Sequence, residues 1–311
     1  TRRNQNCGEG VVELNILSLF DGLGGARIAL DRADIRVDNY FASEIDKYAI
    51  KIARKNYPEI KHLGDVTELL ASHNLPKIDL LIGGSPCQGF SFAGKQLNFY
   101  DQRSKLFFEY VKILIELKPQ YFLLENVRMR QDSQDVITDF LGVDPIVINS
   151  NLVSAQNRHR LYWTNIPVTG LPEDRGLVLK DILEPVVSKK YLAGKDLLDN
   201  YVGGSQLNPS YKSQANTIHD VSKKAPAICA GTHGYANGYV DANYFKDVEP
   251  RSWRKLTVLE CERLQTVPDG YTEGVSNSQR YKMLGNGFTV DVIAFILKGL
   301  FKRKETSNKE W

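Results

Sequence analysis

Apolar and polar positions follow two rhythms along the first half of this 311-residue chain. Short apolar runs bounded by Gly, Asp or Pro, at Asn15 to Phe20, Asn39 to Glu44, Ile78 to Gly83 and Tyr121 to Glu125, have the length and composition of buried strands. Between them, Ala26 to Arg32, Lys47 to Asn56 and Ser104 to Leu117 carry apolar residues at helical spacing, with Ser104 the expected N-cap of the last. Strands that alternate with helices in this way predict an α/β, doubly wound sheet, because parallel neighbours need a long crossover and a helix supplies it. Pro145 to Asn149 and Arg160 to Thr164 add two strands, the last expected to run antiparallel in an otherwise mostly parallel sheet.

After Pro167 the rhythm is lost. From Ser188 to Val240 there are six Lys against three Asp and no Glu, amid many Gly, Asn, Ser and Tyr. That texture predicts a second, smaller, loop-rich domain with short strands, although a solvated insertion without function has the same composition. A helical pattern returns at Leu256 to Gln265, and Thr289 to Leu300 reads as a strongly apolar helix that packs back on the first half. The expected division is a tail at 1–13, a first domain at 14–165, the smaller domain at 166–275, a returning segment at 276–304 and a tail at 305–311.

Composition narrows the class. With 42% hydrophobic and 25% charged residues the chain has enough apolar side chains for a full core and is expected to be a soluble globular protein. Its longest apolar stretches, such as Val292 to Leu297, fall far short of the roughly 20 residues of a membrane helix, so no membrane partner is expected. The polar start, Thr1 to Gly10, has neither an initiating Met nor a secretory apolar segment and reads as a tail. Four cysteines at positions 7, 87, 229 and 261 lack Cys-x-x-Cys spacing and nearby histidines, which predicts no metal, no disulfide framework and a reducing, cytoplasmic location. A net charge of +3 means that a nucleic-acid partner is held by local clusters of Lys and Arg rather than by bulk charge.

Candidate chemistry gathers where predicted strands end. The first strand runs into Phe20-Asp21-Gly22-Leu23-Gly24-Gly25 and then a helix, and Glu44 closes the second strand. Glycines there admit a ligand close to the backbone, and an acid at that place suits two ribose hydroxyls. Arg27 stands where a strict dinucleotide fingerprint needs a third glycine, which favours an adenosine-type cofactor over NAD; a plain tight connection is the alternative. Asp65, in Gly64-Asp65-Val66, places another acid on a loop within reach of an adenine amino group. Cys87 follows Gly83-Gly84-Ser85-Pro86, on a turn rather than inside an element, so the reading as a displayed nucleophile outweighs that of an inert core thiol. Glu125 ends the next strand and faces the same crevice if the strands are parallel. In Gln156-Asn157-Arg158-His159-Arg160, alternation puts Gln156, Arg158 and Arg160 on one face, where two guanidiniums suit phosphate or carbonyl oxygens; taken alone, a surface salt-bridge face fits the pair better. His159 points away and is expected to be structural.

Together these residues resemble the DNA cytosine-5 methyltransferase family, of the compact bacterial and phage modification type. Phe20 to Gly25, Glu44, Gly64-Asp65, Gly84-Ser85-Pro86-Cys87-Gln88, Glu125-Asn126-Val127, Gln156-x-Arg158-x-Arg160, Arg254-x-Leu256-Thr257-x-x-Glu260-x-x-Arg263-Leu264-Gln265 and Gly285-Asn286-Gly287 occur in the family's order, and the match runs from Ile16 to about Leu297. The resemblance implies a Rossmann-like methyltransferase sheet with a target-recognition domain at 166–275, S-adenosylmethionine as cofactor and double-stranded DNA as partner, acting as a monomer or homodimer. It implies that Cys87, Glu125, Arg158 and Arg160 are catalytic. Cys87 adds to C6 of a flipped cytosine, Glu125 engages N3, Arg160 binds O2, and Arg158 fixes a loop or a phosphate. It assigns Phe20, Asp21, Gly22 and Gly24 to the methionine end of the cofactor, Glu44 to the ribose, Ile45 and Val66 to the adenine faces, and Asp65 to the adenine amino group. Pro86 and Asn286 complete the cofactor wall, while Ser85, Gln88, Asn126, Gln156 and Arg254 serve the substrate. The Lys- and Tyr-rich stretch is expected to read base edges, with Arg251, Arg254 and Lys255 on phosphates. The final motif departs from the family in Gly287-Phe288, where Ser or Ala and then Val are common, and the recognition region is short. An RNA cytosine methyltransferase, a silent DNA-binding relative and, more distantly, a nicotinamide oxidoreductase are the competing readings; Gly89-Phe90-Ser91 after Pro-Cys-Gln, the intact Cys87, Glu125 and Arg160, and Arg27 respectively argue against them.

Overall fold

The computed structural model describes residues 13–85, 102–192, 218–230, 239–241 and 253–301, with 102–104, 218 and 239–241 described by their backbone alone. Its centre is a sheet built from β1 (Leu14–Leu19), β2 (Val37–Ser43), β3 (Lys61–Gly64), β4 (Leu80–Gly83), β5 (Tyr121–Val127), β6 (Ile146–Asn149) and β8 (His159–Thr164), with the short β7 (Gln156–Asn157) beside it. The strand order is β3-β2-β1-β4-β5-β8-β6. All neighbours are parallel except at β8, which runs antiparallel to both β5 and β6. The chain steps outward from β1 to β2 and β3, then returns to β4 on the other side of β1. The order therefore reverses between β1 and β4, and their carboxyl ends open the crevice where such sheets bind ligands.

Alternation along each strand sends side chains into one of two cores. Ile16, Leu80, Ile82, Leu123 and Tyr162 enter a core shared with α1 (Gly25–Arg32), α2 (Lys47–Asn56) and the C-terminal helices. Leu17, Leu19, Leu81, Phe122, Leu124, Leu161 and Trp163 enter the other. There they meet α4 (Gln102–Leu117) and α5 (Gln131–Leu141), reached after the single turn of α3 (Leu69–Ser72). Because α4 already runs at Gln102, Ser104 lies inside the helix and is not its N-cap.

The second half adds β9 (Ile218–His219), β10 (Ala225–Pro226), β11 (Tyr239–Asp241) and β12 (Trp253–Lys255). The short β11 pairs parallel with β9 and antiparallel with β12, whereas β10 pairs parallel with β7. Helix α6 (Val258–Leu264) starts two residues later than its apolar pattern, because Thr257 and Glu260 form a reciprocal capping box. Leu256, Val258, Cys261 and Leu264 join the same core as α1. Helix α7 (Asn277–Asn286) follows, and the apolar α8 (Val290–Leu297) buries Val290, Val292, Ile293, Ala294, Ile296 and Leu297 in that core.

Candidate active site

The turn after β1 is shaped by residues that hold it from behind. Phe20, Gly22 and Gly24 take positive φ angles of 55°, 61° and 85°, which Gly accepts freely and Phe does not. The Glu44 carboxylate fixes the turn to the next strand end: it accepts from Gly22 N at 2.8 Å, and from Ile45 N and Asp46 N at 2.8 Å each. Asp21 turns inward instead. It is buried and accepts from the Tyr40 hydroxyl at 2.6 Å. Burial is the main reason its pKa is pushed up to about 6; the nearby Glu44 charge adds to this, and the Tyr40 hydrogen bond opposes it. Asp21 thus latches the turn from beneath, whereas Gly22 has nothing within 4 Å of the place a Cβ would occupy.

The neighbouring crevice residues differ in how much surface they leave open. Ile45 is 73% exposed beside Glu44, an apolar side chain without cover. Asp65 is exposed and caps the next turn, accepting from the Thr67 amide and hydroxyl at 2.9 Å each, while Val66 is buried in the α4-side core. Asn286 is exposed at the end of α7. Lys282, one turn earlier, donates to Asp46 at 2.8 Å and so ties α7 to the start of α2.

At the ends of β4, β5 and β8 the sheet brings together residues far apart in sequence. Glu125 and Arg160 project from the same face and pair at 3.0 Å from Nε to Oε1, each side chain about one-seventh exposed, at 13% and 14%. Asn126 faces the other way, is buried, and donates to the Ser85 hydroxyl at 3.2 Å and to the Ser85 carbonyl at 3.4 Å. It therefore anchors the segment that leads toward Cys87 alongside Glu125. Pro86, Cys87 and Gln88 themselves lie outside the described residues, as does Arg251. A Cβ on Gly84 would sit 3.0 Å from both Glu125 Oε2 and the Phe288 ring, and one on Gly25 would sit 3.7 Å from that ring. The Phe288 departure from the family pattern is thereby accommodated: its ring fills the gap between two glycines, one on the Gly-rich turn and one at the end of the β4 loop.

Three sequence expectations need a different account. Arg158 is 3% exposed and donates to the carbonyls of Ile228 at 2.9 Å, Gly285 at 3.1 Å and Gly287 at 3.0 Å, so it is withdrawn from the crevice and from any phosphate. Gln156 is fully buried, donating to Gln265 Oε1 at 2.9 Å and accepting from Ile228 N at 3.2 Å, which makes it a strut and not a substrate contact. Arg254 is likewise fully buried, in a two-point pair with Glu260 at 2.7 and 2.9 Å, and is unavailable to DNA phosphates. Glu260 accepts in addition from Thr257 N at 2.7 Å and Glu184 N at 2.8 Å, so its charge is fully used inside the fold. The exposed His159 meets Asn149 at 3.1 Å, away from the crevice. Tyr40 escaped the sequence reading, since a lone Tyr in a strand carries no distinctive spacing, and Gln265 stood in a motif there without a role, which its bonds to Gln156, Leu284 O and Gly287 O now supply. Among the described residues no cluster of His, Cys, Asp or Glu is arranged to hold a metal.

Comparison with known proteins agrees with this geometry. The family described as C-5 cytosine-specific DNA methylase matches residues 14–302. The type II methyltransferase M1.ScrFI of Lactococcus lactis subsp. cremoris is 31% identical over 94% of this chain and 79% of its own length. M.NlaX of Neisseria lactamica is 31% identical over 90% of this chain and 94% of its own. Among solved structures, the Entamoeba histolytica methyltransferase EhMeth superposes with a TM-score of 0.72 at 19% identity, covering 93% of this chain and 98% of that one. The S. pombe Dnmt2 methyltransferase gives 0.70 at 20% identity, over 92% and 98%, so these two likenesses speak to the fold. A match across almost the whole described chain, on a sheet whose strand ends carry Glu44, Glu125 and Arg160, leads to one conclusion: the chain belongs to the C-5 cytosine-specific DNA methylase family and is a DNA cytosine methyltransferase.

Proposed function

We propose that the protein methylates C5 of a cytosine flipped out of double-stranded DNA, through a covalent bond between Cys87 and C6. The observation that carries this reading is the Glu125–Arg160 pair at the strand end beside Ser85, which leads to Cys87. Inside a stacked duplex C5 and C6 are shielded, so the base must leave the stack to meet a thiol. The Cys87 thiolate adds to C6, and the C5–C6 π electrons shift to C5. Glu125 gives its proton to N3 as negative charge builds in the ring, and the carboxylate it leaves behind is held by Arg160. That ion pair grows stronger as the adduct forms, which is the kind of interaction that lowers a barrier rather than merely binding substrate. A further donor of Arg160 is suited to O2 of the same ring. S-adenosylmethionine, the cofactor of this family, supplies an electrophilic methyl group to C5. Methyl transfer leaves S-adenosylhomocysteine; loss of the C5 proton to water, with the N3 proton returning to Glu125, then restores the double bond and expels the Cys87 thiolate.

The crevice fits that cofactor on its own observations. Ile45 offers an uncovered apolar face beside Glu44, and Gly22 leaves open space at the turn. Phe20, Gly22 and Gly24 line the methionine end, with Asp21 beneath them. Glu44 holds the ribose, Ile45 and Val66 the adenine faces, Asp65 the adenine amino group, and Pro86 and Asn286 the wall. Ser85, Gln88 and Asn126 set the loop against the substrate. Residues 166–275 form the target-recognition region, and the DNA contacts expected there fall to the Lys- and Tyr-rich stretch and Lys255 rather than to Arg254. Bisulfite sequencing of DNA from cells that express the protein tests the reading: 5-methylcytosine at one short recurring sequence supports it, and unmodified DNA rejects it.

A further inference from the structure

Arg158 joins two parts of the chain that are expected to meet different ligands. One part is 225–230, which enters from the recognition region. Its β10 lies parallel to β7, with Ala225 N donating to Ala155 O at 2.7 Å and Ile228 N to Gln156 at 3.2 Å. The other is Gly285-Asn286-Gly287, whose exposed Asn286 forms the wall of the cofactor crevice. The Arg158 guanidinium donates to Ile228 O on one side and to Gly285 O and Gly287 O on the other. Gln265 reinforces it, donating to Leu284 O at 2.6 Å and Gly287 O at 3.0 Å. The two segments touch backbone to backbone: a Cβ on Gly285 would lie 2.2 Å from the Cys229 carbonyl carbon and 2.3 Å from Ala230 N. Neither backbone can move without disturbing the other.

We propose that Arg158 is a positioning residue which locks the 225–230 segment to the Asn286 wall, so that DNA on the recognition region and cofactor in the crevice tighten each other's binding. The proposal rests on the reading of Asn286 as cofactor wall and of 166–275 as the DNA reader. A guanidinium suits the task, since it serves three carbonyls with a fixed fork of donors, whereas the donors of an ammonium sit on a shorter, flexible stem and diverge tetrahedrally. Arg158 remains cationic at neutral pH even though burial, and then the Arg160 charge, bring its pKa down to about 10. Coupling of this kind is reciprocal, so it is measurable from either ligand.

The test measures S-adenosylhomocysteine affinity of the full chain by calorimetry, with and without a saturating duplex that the protein methylates. Wild type is expected to bind about tenfold tighter with DNA present, within the usual range of coupling between sites. Arg158→Lys and Gly285→Ala are each expected to reduce that factor to about one, while Ile137→Ala, a destabilising change in the opposite core, keeps it. Hydrogen exchange on wild type needs no variant: S-adenosylhomocysteine alone should protect the amides of 225–230 together with those of 284–287. Full coupling in Arg158→Lys, its loss in Ile137→Ala, or protection confined to 284–287 overturns the proposal. A wild type that methylates DNA without coupling overturns it alone, whereas one that neither binds S-adenosylhomocysteine nor methylates DNA overturns the functional reading as well.

Discussion

The carboxyl edge of the sheet and the seam between β7, 225–230 and α7 are both rich in polar side chains, yet they are built on opposite principles. At the edge, Glu44, Ile45, Glu125, Arg160 and Asn286 stand at strand or helix ends and keep part of their surface accessible. In the seam Gln156 and Arg158, and between β12 and α6 the pair Arg254 and Glu260, are buried to within a few per cent and spend their hydrogen bonds on backbone carbonyls, amides and one another. The same residue types are therefore left accessible to a ligand in one place and spent on architecture in the other. What separates them is exposure, since a charge that is buried and bonded to internal partners is out of a ligand's reach.

That contrast breaks first under substitution of Glu125. Glu125→Gln keeps the shape but cannot move a proton to N3, so turnover should fall by roughly a thousandfold, in the middle of the range for general acid–base groups. Binding of S-adenosylhomocysteine and the melting temperature should stay near wild type; retained turnover in a methyl-transfer assay removes Glu125 from the reaction. Arg254→Met should do the reverse. It leaves Glu260 buried without its main counter-charge, at a cost of about 3–5 kcal/mol in stability by urea unfolding. An unfolding midpoint equal to wild type would contradict the structural role of the Arg254–Glu260 pair.

Asp21 sits between the two regimes, buried yet under the Gly-rich turn, and it sharpens the comparison through pH. Its folded pKa of about 6 lies above the ordinary 3.8. The fold therefore favours the protonated form, and the associated stability is present below pH 3.8 and lost as pH rises through 6. The loss is bounded at roughly 3 kcal/mol by the size of the shift. Asp21→Asn keeps an acceptor for Tyr40 without the charge, so its stability relative to wild type should improve between pH 4.5 and 7.5; a constant difference across that interval rejects the latch. The smallest effect belongs to surface pairs. Lys112→Ala removes an exposed contact to Glu109 at 3.7 Å on α4 and should change stability by no more than about 0.5 kcal/mol. A larger change would mean that exposed charges matter here as buried ones do.

How far the sequence discloses these two regions differs for the same reason. The alternation of strands and helices follows from apolar runs and helical spacing, and Glu44 and Glu125 follow because acids at strand ends are recognisable without any partner, whereas Ile45, Arg160 and Asn286 stand out only through the family resemblance. Short β3, with only Lys61–Gly64, and the polar helices α5 and α7 have too weak an apolar pattern to stand out. The seam is hidden altogether. Arg158 and Arg160 are two residues apart with identical chemistry, and nothing in their spacing says that one clamps three carbonyls while the other pairs with Glu125. Burial of Arg254 depends on Glu260, six residues later and on the next helix, a contact that forms only once β12 and α6 are packed.

The account turns on Cys87 as the proposed nucleophile. The most direct test is to incubate the protein and S-adenosylmethionine with duplex DNA carrying 5-fluorocytosine at the methylated position. Fluorine cannot leave as the C5 proton does, so the adduct should persist, migrate with the protein through denaturing electrophoresis, and map to Cys87 by mass spectrometry. Cys87→Ala should give none. Equal adduct from both proteins, or none from wild type that methylates ordinary DNA, would contradict the covalent mechanism at its first step.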